Sequence, residues 1–118
     1  MTNGPTPRVF VVQQPVKLIG GEWKPIFDIR PAQSFGRFVF VLAKPGNIYR
    51  DALPKVLDHM KNVLHDFGDE DFILPTGEPV AIAAAALIAG GQNEGRIKVL
   101  KWNRAERRYE VIQISIEE

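Results

Sequence analysis

Short apolar runs in the first part of the chain predict three strands. The segment RVFVVQQP (8–15) predicts a first strand, and Pro15 either ends its ladder or places it at a sheet edge. After a turn marked by the two glycines at 20–21, KPIFDIR (24–30) predicts a second strand. The segment RFVFVLA (37–43) is nearly all apolar, so both of its faces must be buried. We therefore expect it to be a central strand.

The most regular apolar spacing in the chain predicts a helix over residues 51–67. Its apolar residues recur every three to four positions, as one face of a helix requires. They are Leu53, Val56, Leu57, Met60, Leu64 and Phe67. Asp51 suits the N-cap, Pro54 suits the first turn, and Gly68 suits the position just beyond the last turn.

The next two elements are a short strand and a second helix. DFILP (71–75) predicts the strand, and TGEPVAIAAAALIAGG (76–91) predicts a turn followed by the helix. Thr76 or Gly77 is expected to cap this helix, and the two glycines at 90–91 are expected to end it.

The last segment, RIKVLKWNRAERRYEVIQISI (96–116), predicts a β-hairpin with a four-residue loop at 104–107. Closing the loop between Asn103 and Arg108 determines which side chains face one another. On one face the expected pairs are Trp102 with Tyr109, Leu100 with Val111, and Lys98 with Gln113. On the other face they are Lys101 with Glu110, Val99 with Ile112, and Ile97 with Ile114. This second face is expected to belong to the core and to end in an ion pair.

The order of these elements predicts the fold class. From residue 37 onward it is strand, helix, strand, helix, strand and an antiparallel return, so two right-handed crossovers make three strands parallel. We expect an α/β or α+β fold with a mixed sheet of five to six strands, two helices and a C-terminal hairpin. Residues 1–7 are expected to be a flexible leader, and residues 8–118 a single domain.

The composition favours an ordinary globular protein. The chain has 118 residues, of which 45% are hydrophobic, which is typical of one folded domain. The absence of cysteine excludes disulfides, thiol nucleophiles and thiolate metal sites. The longest apolar run (80–89) is shorter than the ~20 residues that a bilayer span needs, and residues 1–8 lack the pattern of a signal peptide. We expect a cytoplasmic protein without a membrane partner.

The charges are segregated along the chain, although the net charge is only +1. Residues 1–50 carry seven basic and two acidic groups, residues 51–78 two basic and seven acidic, and residues 96–108 six basic and one acidic. Any affinity for nucleic acid must therefore come from a local patch.

The basic hairpin is the candidate patch. Aromatic rings offer stacking platforms for bases, and basic side chains neutralise phosphates. The residues expected to contact DNA or RNA are Arg96, Lys98, Trp102, Arg104, Arg107, Arg108 and Tyr109. Two other interpretations stay open: a structural aromatic pair beneath a helix with a solvated loop at its tip, and a surface for a protein partner.

A second candidate site lies at the carboxyl ends of the parallel strands, where ligands bind in α/β sheets. The residues expected there are Asn47, Tyr49, Arg50, Thr76, Gly77 and Asn103. The turn PTGEP (75–79) leads into a helix N-terminus but lacks the glycine spacing and the Lys-Ser/Thr of a P-loop. It favours a small anionic ligand at most.

The sequence does not predict a catalytic set, a metal site or a cofactor. His59 and His65 are six residues apart and so do not share a helix face as metal ligands would. The acidic cluster Asp66, Asp69, Glu70 and Asp71 lacks the alternating ligands and the glycine of an EF-hand. We expect it to be an acidic surface turn in a protein that is not an enzyme.

Four stretches of the chain carry a resemblance to a known group of proteins. They are RVFVVQQP, FDIRPAQSFGRFVFVL, DFILPTGEPVAIAAAALIAG and GRIKVLKWNRAERRYEVIQI. Together they resemble small phage- and prophage-encoded proteins of proteobacteria, over most of the chain. That resemblance implies a setting among replication, recombination or host-takeover functions, which favours nucleic acid or a host or phage protein as the partner over a metabolite.

The resulting hypotheses are three. The first is a phage-type accessory protein that contacts DNA or RNA through the basic hairpin. The second is an adaptor or inhibitor that binds a host or phage protein, and the third is a binder of a small anionic ligand at the strand-end loops. A homo-oligomer formed by strand pairing stays open, because a sheet this small leaves edges that must be protected or paired.

Overall fold

The computed structural model describes residues 6–116. The strands are β1 (Arg8–Gln13), β2 (Val16–Ile19), β3 (Glu22–Pro25), β4 (Arg37–Leu42), β5 (Phe72–Leu74), β6 (Arg96–Asn103) and β7 (Arg108–Ser115). The helices are α1 (Leu53–Val63), α2 (Pro79–Gln92) and the 3₁₀ helices Arg30–Phe35 and Arg50–Ala52. Residues 1–5 of the predicted leader and the last two residues of the predicted domain lie outside the described residues.

Five of the strands form one mixed sheet in the order β4-β1-β5-β6-β7. The first four are parallel, and β7 runs antiparallel to β6. The helix α1 connects β4 to β5, and α2 connects β5 to β6, as the predicted crossovers require. The mixed sheet with two substantial helices and a C-terminal hairpin is confirmed, and the fold is α+β with a separate two-stranded sheet, β2–β3.

The strand inside the sheet is β1, whereas β4 lies at an edge. β1 pairs with β4 on one side and with β5 on the other, and its residues 9–12 are fully buried. Phe40 of β4 is 44% exposed. The central position predicted for 37–43 and the edge alternative for 8–15 were therefore wrong. An apolar run reports burial of the two faces of a strand and does not report how many strands flank it.

The strand predicted at 24–30 was also wrong. Gly20 and Gly21 both have positive φ angles, 57° and 82°, and form a two-residue turn that pairs residues 16–19 with residues 22–25. Turns of this kind match the right-handed twist of the flanking strands. Only the first two residues of the predicted segment lie in β3, and the 3₁₀ helix Arg30–Phe35 follows soon after.

Hydrophobic clusters cover both faces of the five-stranded sheet. The helices α1 and α2 pack on one face, where Phe10, Met60 and Leu64 are fully buried. Alanines at 81, 85 and 89 make one side of α2 thin, so it lies close to the strands. The other face buries a smaller cluster that includes Leu100 and Ala32 of the 3₁₀ helix. Among the described residues, neither helix is long and apolar enough to cross a membrane.

The ends of α1 differ from those predicted. Ala52 occupies the N-cap position without a side-chain hydrogen bond, because the 3₁₀ helix Arg50–Ala52 leads directly into α1. Asp51 therefore lies within that 3₁₀ turn. The helix ends at Val63 and not near Gly68, since the chain turns at Leu64 towards β5.

The ends of α2 also differ from those predicted. Glu78 caps the helix with a carboxylate that accepts a hydrogen bond from the Ala81 N–H, and neither Thr76 nor Gly77 does so. The helix continues through the glycines at 90–91 and ends at Gln92. Its stop comes at Gly95, whose N–H bonds back to the carbonyl of residue 90.

Candidate binding surfaces

The loops at the carboxyl ends of β1, β4 and β5 are held together by the buried side chain of Gln13. Its Nε2 donates to the carbonyls of Lys44 at 3.2 Å and Gly46 at 2.9 Å, and its Oε1 accepts from the N–H of Glu78 at 2.7 Å. The hydroxyl of Thr76 donates to the carbonyl of Gln13. The crevice in which an α/β sheet would hold a ligand is therefore occupied by a side chain of the protein itself.

The residues predicted for the small-ligand site lie in different settings. Asn47, Tyr49 and Arg50 are exposed on the loop before α1. Thr76 is buried against Gln13, and Gly77 is packed so closely against Gln13 that it has no room for a Cβ. Asn103 lies at the tip of the C-terminal hairpin. Three of the six thus have contacts that hold the fold together.

The register predicted for the C-terminal hairpin is confirmed at every pair, with the loop at 104–107. The rings of Trp102 and Tyr109 meet edge to face, with centroids 4.9 Å apart. Asn103 accepts a hydrogen bond from the N–H of Glu106 and donates to the carboxylate of Glu110 at 2.6 Å. Glu110 is thus hydrogen-bonded by Asn103, where the sequence predicted an ion pair with Lys101.

The predicted nucleic-acid residues are split between the two ends of β6. Arg96 forms ion pairs with Asp69 at 3.3 Å and with Glu94 at 3.6 Å. The Lys98 ammonium lies 4.3 Å from the centre of the Phe72 ring. Both belong to the start of the strand, about 20 Å from its tip, since a strand rises about 3.3 Å per residue. At the tip, Arg108 pairs with Glu106.

The acidic cluster after α1 is bound by basic side chains. Asp71 is buried and accepts a bidentate contact from Arg8 at 2.9 and 3.1 Å, and Arg8 also bonds Asp66. Burial would raise the pKa of Asp66, but the hydrogen bond and charge of Arg8 outweigh it and lower that pKa. Hydrogen bonds from Asn93 and Arg96 lower the pKa of Asp69. Within residues 6–116 no group of three such side chains is placed to hold a metal ion.

An open cavity of about 630 Å³ lies beside the tip of the C-terminal hairpin, and we call it the aromatic cleft. Its lining residues are Phe27, Asp28, Pro31, Trp102, Arg104, Arg107 and Tyr109. Burial and, secondarily, the charge of Asp28 raise the pKa of Tyr109. Arg30 binds Asp28 through both carboxylate oxygens and lowers the pKa of that group. The cleft thus combines exposed aromatic surface with two arginines.

The β2–β3 hairpin has one apolar and one mostly polar face. Cross-strand pairing places Leu18 opposite Trp23 and Val16 opposite Pro25 on the apolar face, which we call the apolar arm. Leu18 is 59% exposed and Trp23 is 52% exposed. The opposite face pairs Lys17 with Lys24 and Ile19 with Glu22, and Glu22 forms an ion pair with Lys24.

Sequence reasoning missed the apolar arm. The alternation of VKLI and EWKP about the two glycines is the signal that would have found it. The arm is followed by two further exposed apolar residues, Ile26 and Phe27, and Phe27 lines the aromatic cleft. The arm and the cleft therefore lie along one continuous stretch of chain.

Residues 7–116 match the family model described as Phage Pam3 gp32-like protein. This match confirms the resemblance to small phage-encoded proteins. No curated protein and no solved structure matches the chain.

Proposed function

The chain belongs to the Phage Pam3 gp32-like protein family, and from that premise we propose that it is a binding protein that docks a segment of another protein along the apolar arm and the aromatic cleft. The observation that carries the proposal is the exposure of the arm, in which Leu18 and Trp23 face solvent while the lysines occupy the opposite face. A hairpin facing water alone would have the reverse arrangement or polar residues on both faces.

The energetics of a two-stranded hairpin support this proposal. Such a hairpin is marginally stable in water unless its apolar face packs against something. Burying one side chain of the size of Leu18 gains roughly 1.5–3 kcal/mol, and aromatic anchors such as Trp23 dominate the energy of many protein interfaces. A partner that covers the arm thus gains affinity and stabilises the hairpin at the same time.

The aromatic cleft defines the chemistry of that partner. Trp102, which is 42% exposed, and Phe27 offer apolar contact, whereas Arg104 and Arg107 offer planar guanidinium groups that suit carboxylates. A protein segment with apolar side chains next to an Asp or Glu matches both surfaces. We assign this acidic and apolar segment to the partner.

Selection of random displayed peptides on the immobilised full chain tests this assignment. We expect the enriched peptides to combine large apolar residues with Asp or Glu. Trp23→Ser and Trp102→Ala should each weaken their binding by about tenfold or more, because truncating an aromatic anchor removes the largest contact area. Arg104→Ala/Arg107→Ala should abolish the preference for acidic residues.

The control variant is Lys17→Ser, on the opposite face of the arm. It should leave peptide affinity within about twofold, since residues outside an interface carry little binding energy. Peptides that bind all of these variants equally, or a selection that enriches no acidic residue, would contradict the proposal.

A single-stranded nucleic acid is the second candidate occupant of the aromatic cleft. The observation in its favour is that Trp102 is exposed beside Arg104 and Arg107. An exposed ring stacks on any base, and two nearby arginines suit consecutive phosphates. The site supported by this geometry is smaller than the one predicted from sequence, because Arg96 and Lys98 lie at the far end of β6.

Fluorescence anisotropy with labelled single- and double-stranded DNA and RNA, at about 50 and 200 mM salt, tests this second candidate. Arg104→Ala/Arg107→Ala should lower affinity and reduce the salt dependence by about 0.7 per lost phosphate contact. Arg96→Ala/Lys98→Ala removes the same charge at the other end of the strand and should change neither. The absence of binding at about 50 mM salt, where phosphate contacts are strongest, or equal losses in the two variants, would exclude nucleic acid from the cleft.

A further inference from the structure

The outermost strand of the five-stranded sheet, β7, has an open edge. Among residues 6–116 it pairs only with β6 in that sheet. The N–H of Ile116 donates to the carbonyl of Gly95, on the β6 side. Because backbone groups alternate along a strand, those of Tyr109, Val111 and Gln113 point away from β6. They form a row of donors and acceptors that another strand can use.

This edge lacks the usual protection against strand pairing. Sheets protect their edges with lysine, proline, bulges or short strands, but β7 is eight residues long and contains neither lysine nor proline. Val111, Ile112 and Ile114 are each between 41% and 46% exposed. The opposite edge of the sheet, β4, is flanked instead by Arg37 and Lys44.

The order of charges along this part of the sequence matches an antiparallel copy of the same strand. Arg104, Arg107 and Arg108 precede the apolar residues of β7, and the sequence after them continues into Glu117 and Glu118. Two copies in antiparallel alignment bring the basic end of each towards the acidic end of the other. Two parallel copies, or two antiparallel copies of β4, bring like charges together instead.

We propose that β7 pairs with β7 of a second copy of this chain, antiparallel and about a twofold axis, to join two five-stranded sheets into one. The alignment places Ile112 and Ile114 of both copies side by side on the helix-covered face of the joined sheet. The contact is isologous, so the assembly closes at a dimer. It uses neither the apolar arm nor the aromatic cleft, and it stands whether or not the proposed function is correct.

Light scattering on the full chain between about 5 and 200 µM, a range that suits an interface of modest area, measures the mass directly. The wild type should approach the mass of a dimer as concentration rises. Ile112→Lys/Ile114→Lys should raise the dissociation constant by about tenfold or more, because like charges then face one another across the pair. Leu87→Lys, at an exposed position of α2, should leave it unchanged. A wild type that is monomeric throughout this range overturns the proposal.

Single cysteines locate the axis independently of any effect of the lysine variants on folding. The chain has no cysteine of its own, so each variant carries one thiol. Among substitutions to cysteine at Val111, Ile112, Gln113 and Ile114, one or two adjacent positions should oxidise to a disulfide-linked dimer, since only residues near a twofold axis approach their own copies within ~7 Å. Equal oxidation at all four positions indicates a parallel pair and overturns the antiparallel arrangement, as does oxidation at none.

Discussion

Gly77→Ala is expected to lower the free energy of unfolding by about 3–5 kcal/mol. Gly77 has a φ of 108°, which side-chain-bearing residues rarely adopt. A Cβ at this position would also overlap the side chain of Gln13. Gln13 cannot move away without breaking its hydrogen bonds to Lys44, Gly46 and Glu78. The cost therefore combines backbone strain with crowding at the point where three loops meet.

Gly46→Ala separates these two contributions. Gly46 has a similar φ of 106°, but no heavy atom lies within 4 Å of the position that an added Cβ would take. Its substitution should therefore cost only the backbone strain of about 1–3 kcal/mol. Urea unfolding followed by circular dichroism measures both variants. Equal losses in the two variants would show that Gln13 does not crowd Gly77.

Asp71→Asn is expected to lower the free energy of unfolding by about 3 kcal/mol, as measured for broken buried ion pairs. The Asp71 side chain is only 5% exposed and accepts two hydrogen bonds from Arg8. It also accepts the N–H of Gly68 at 2.9 Å, which holds the turn before β5. The amide replaces one acceptor with a donor, so the guanidinium loses the bidentate contact and stays half-buried without its counter-charge.

Asp69→Asn is the matched control for Asp71→Asn. Asp69 lies two residues earlier and pairs with Arg96, but its side chain is 65% exposed. Exposed ion pairs contribute about 0–1 kcal/mol, so the loss should be within that range. The same urea unfolding measurement compares the two variants, and a loss at position 71 no larger than that at position 69 would contradict a stabilising role for the Arg8 contact.

The C-terminal hairpin shows how far local pattern predicts structure. Alternation of side chains and the length of the loop together specify the register, so every cross-strand pair from Ile97–Ile114 to Trp102–Tyr109 was predictable. The partners of its charged residues were not. Arg96 binds Asp69, which is 27 residues away, and Glu110 binds Asn103. A count of basic residues therefore overestimated the charge available at the hairpin tip.

The strand-end loops show the opposite case. The sequence correctly places Thr76 and Gly77 between β5 and α2, at the edge where ligands bind in α/β sheets. Whether that edge is open depends on Gln13, which lies 63 residues before Thr76 in the chain. No periodicity links the two residues. Only the adjacency of β1 and β5 brings them together.

By itself the sequence determined the two helices, most strands, the parallel crossovers and the register of the C-terminal hairpin. These features follow from short-range spacing and turn chemistry, which each segment carries within itself. The tertiary structure alone decided that β1 is interior and β4 is at an edge, that Arg8 neutralises the acidic turn, and that the apolar arm is uncovered. Those outcomes depend on which distant segments lie side by side, because burial and ion pairing are properties of the assembled layers and not of any one segment.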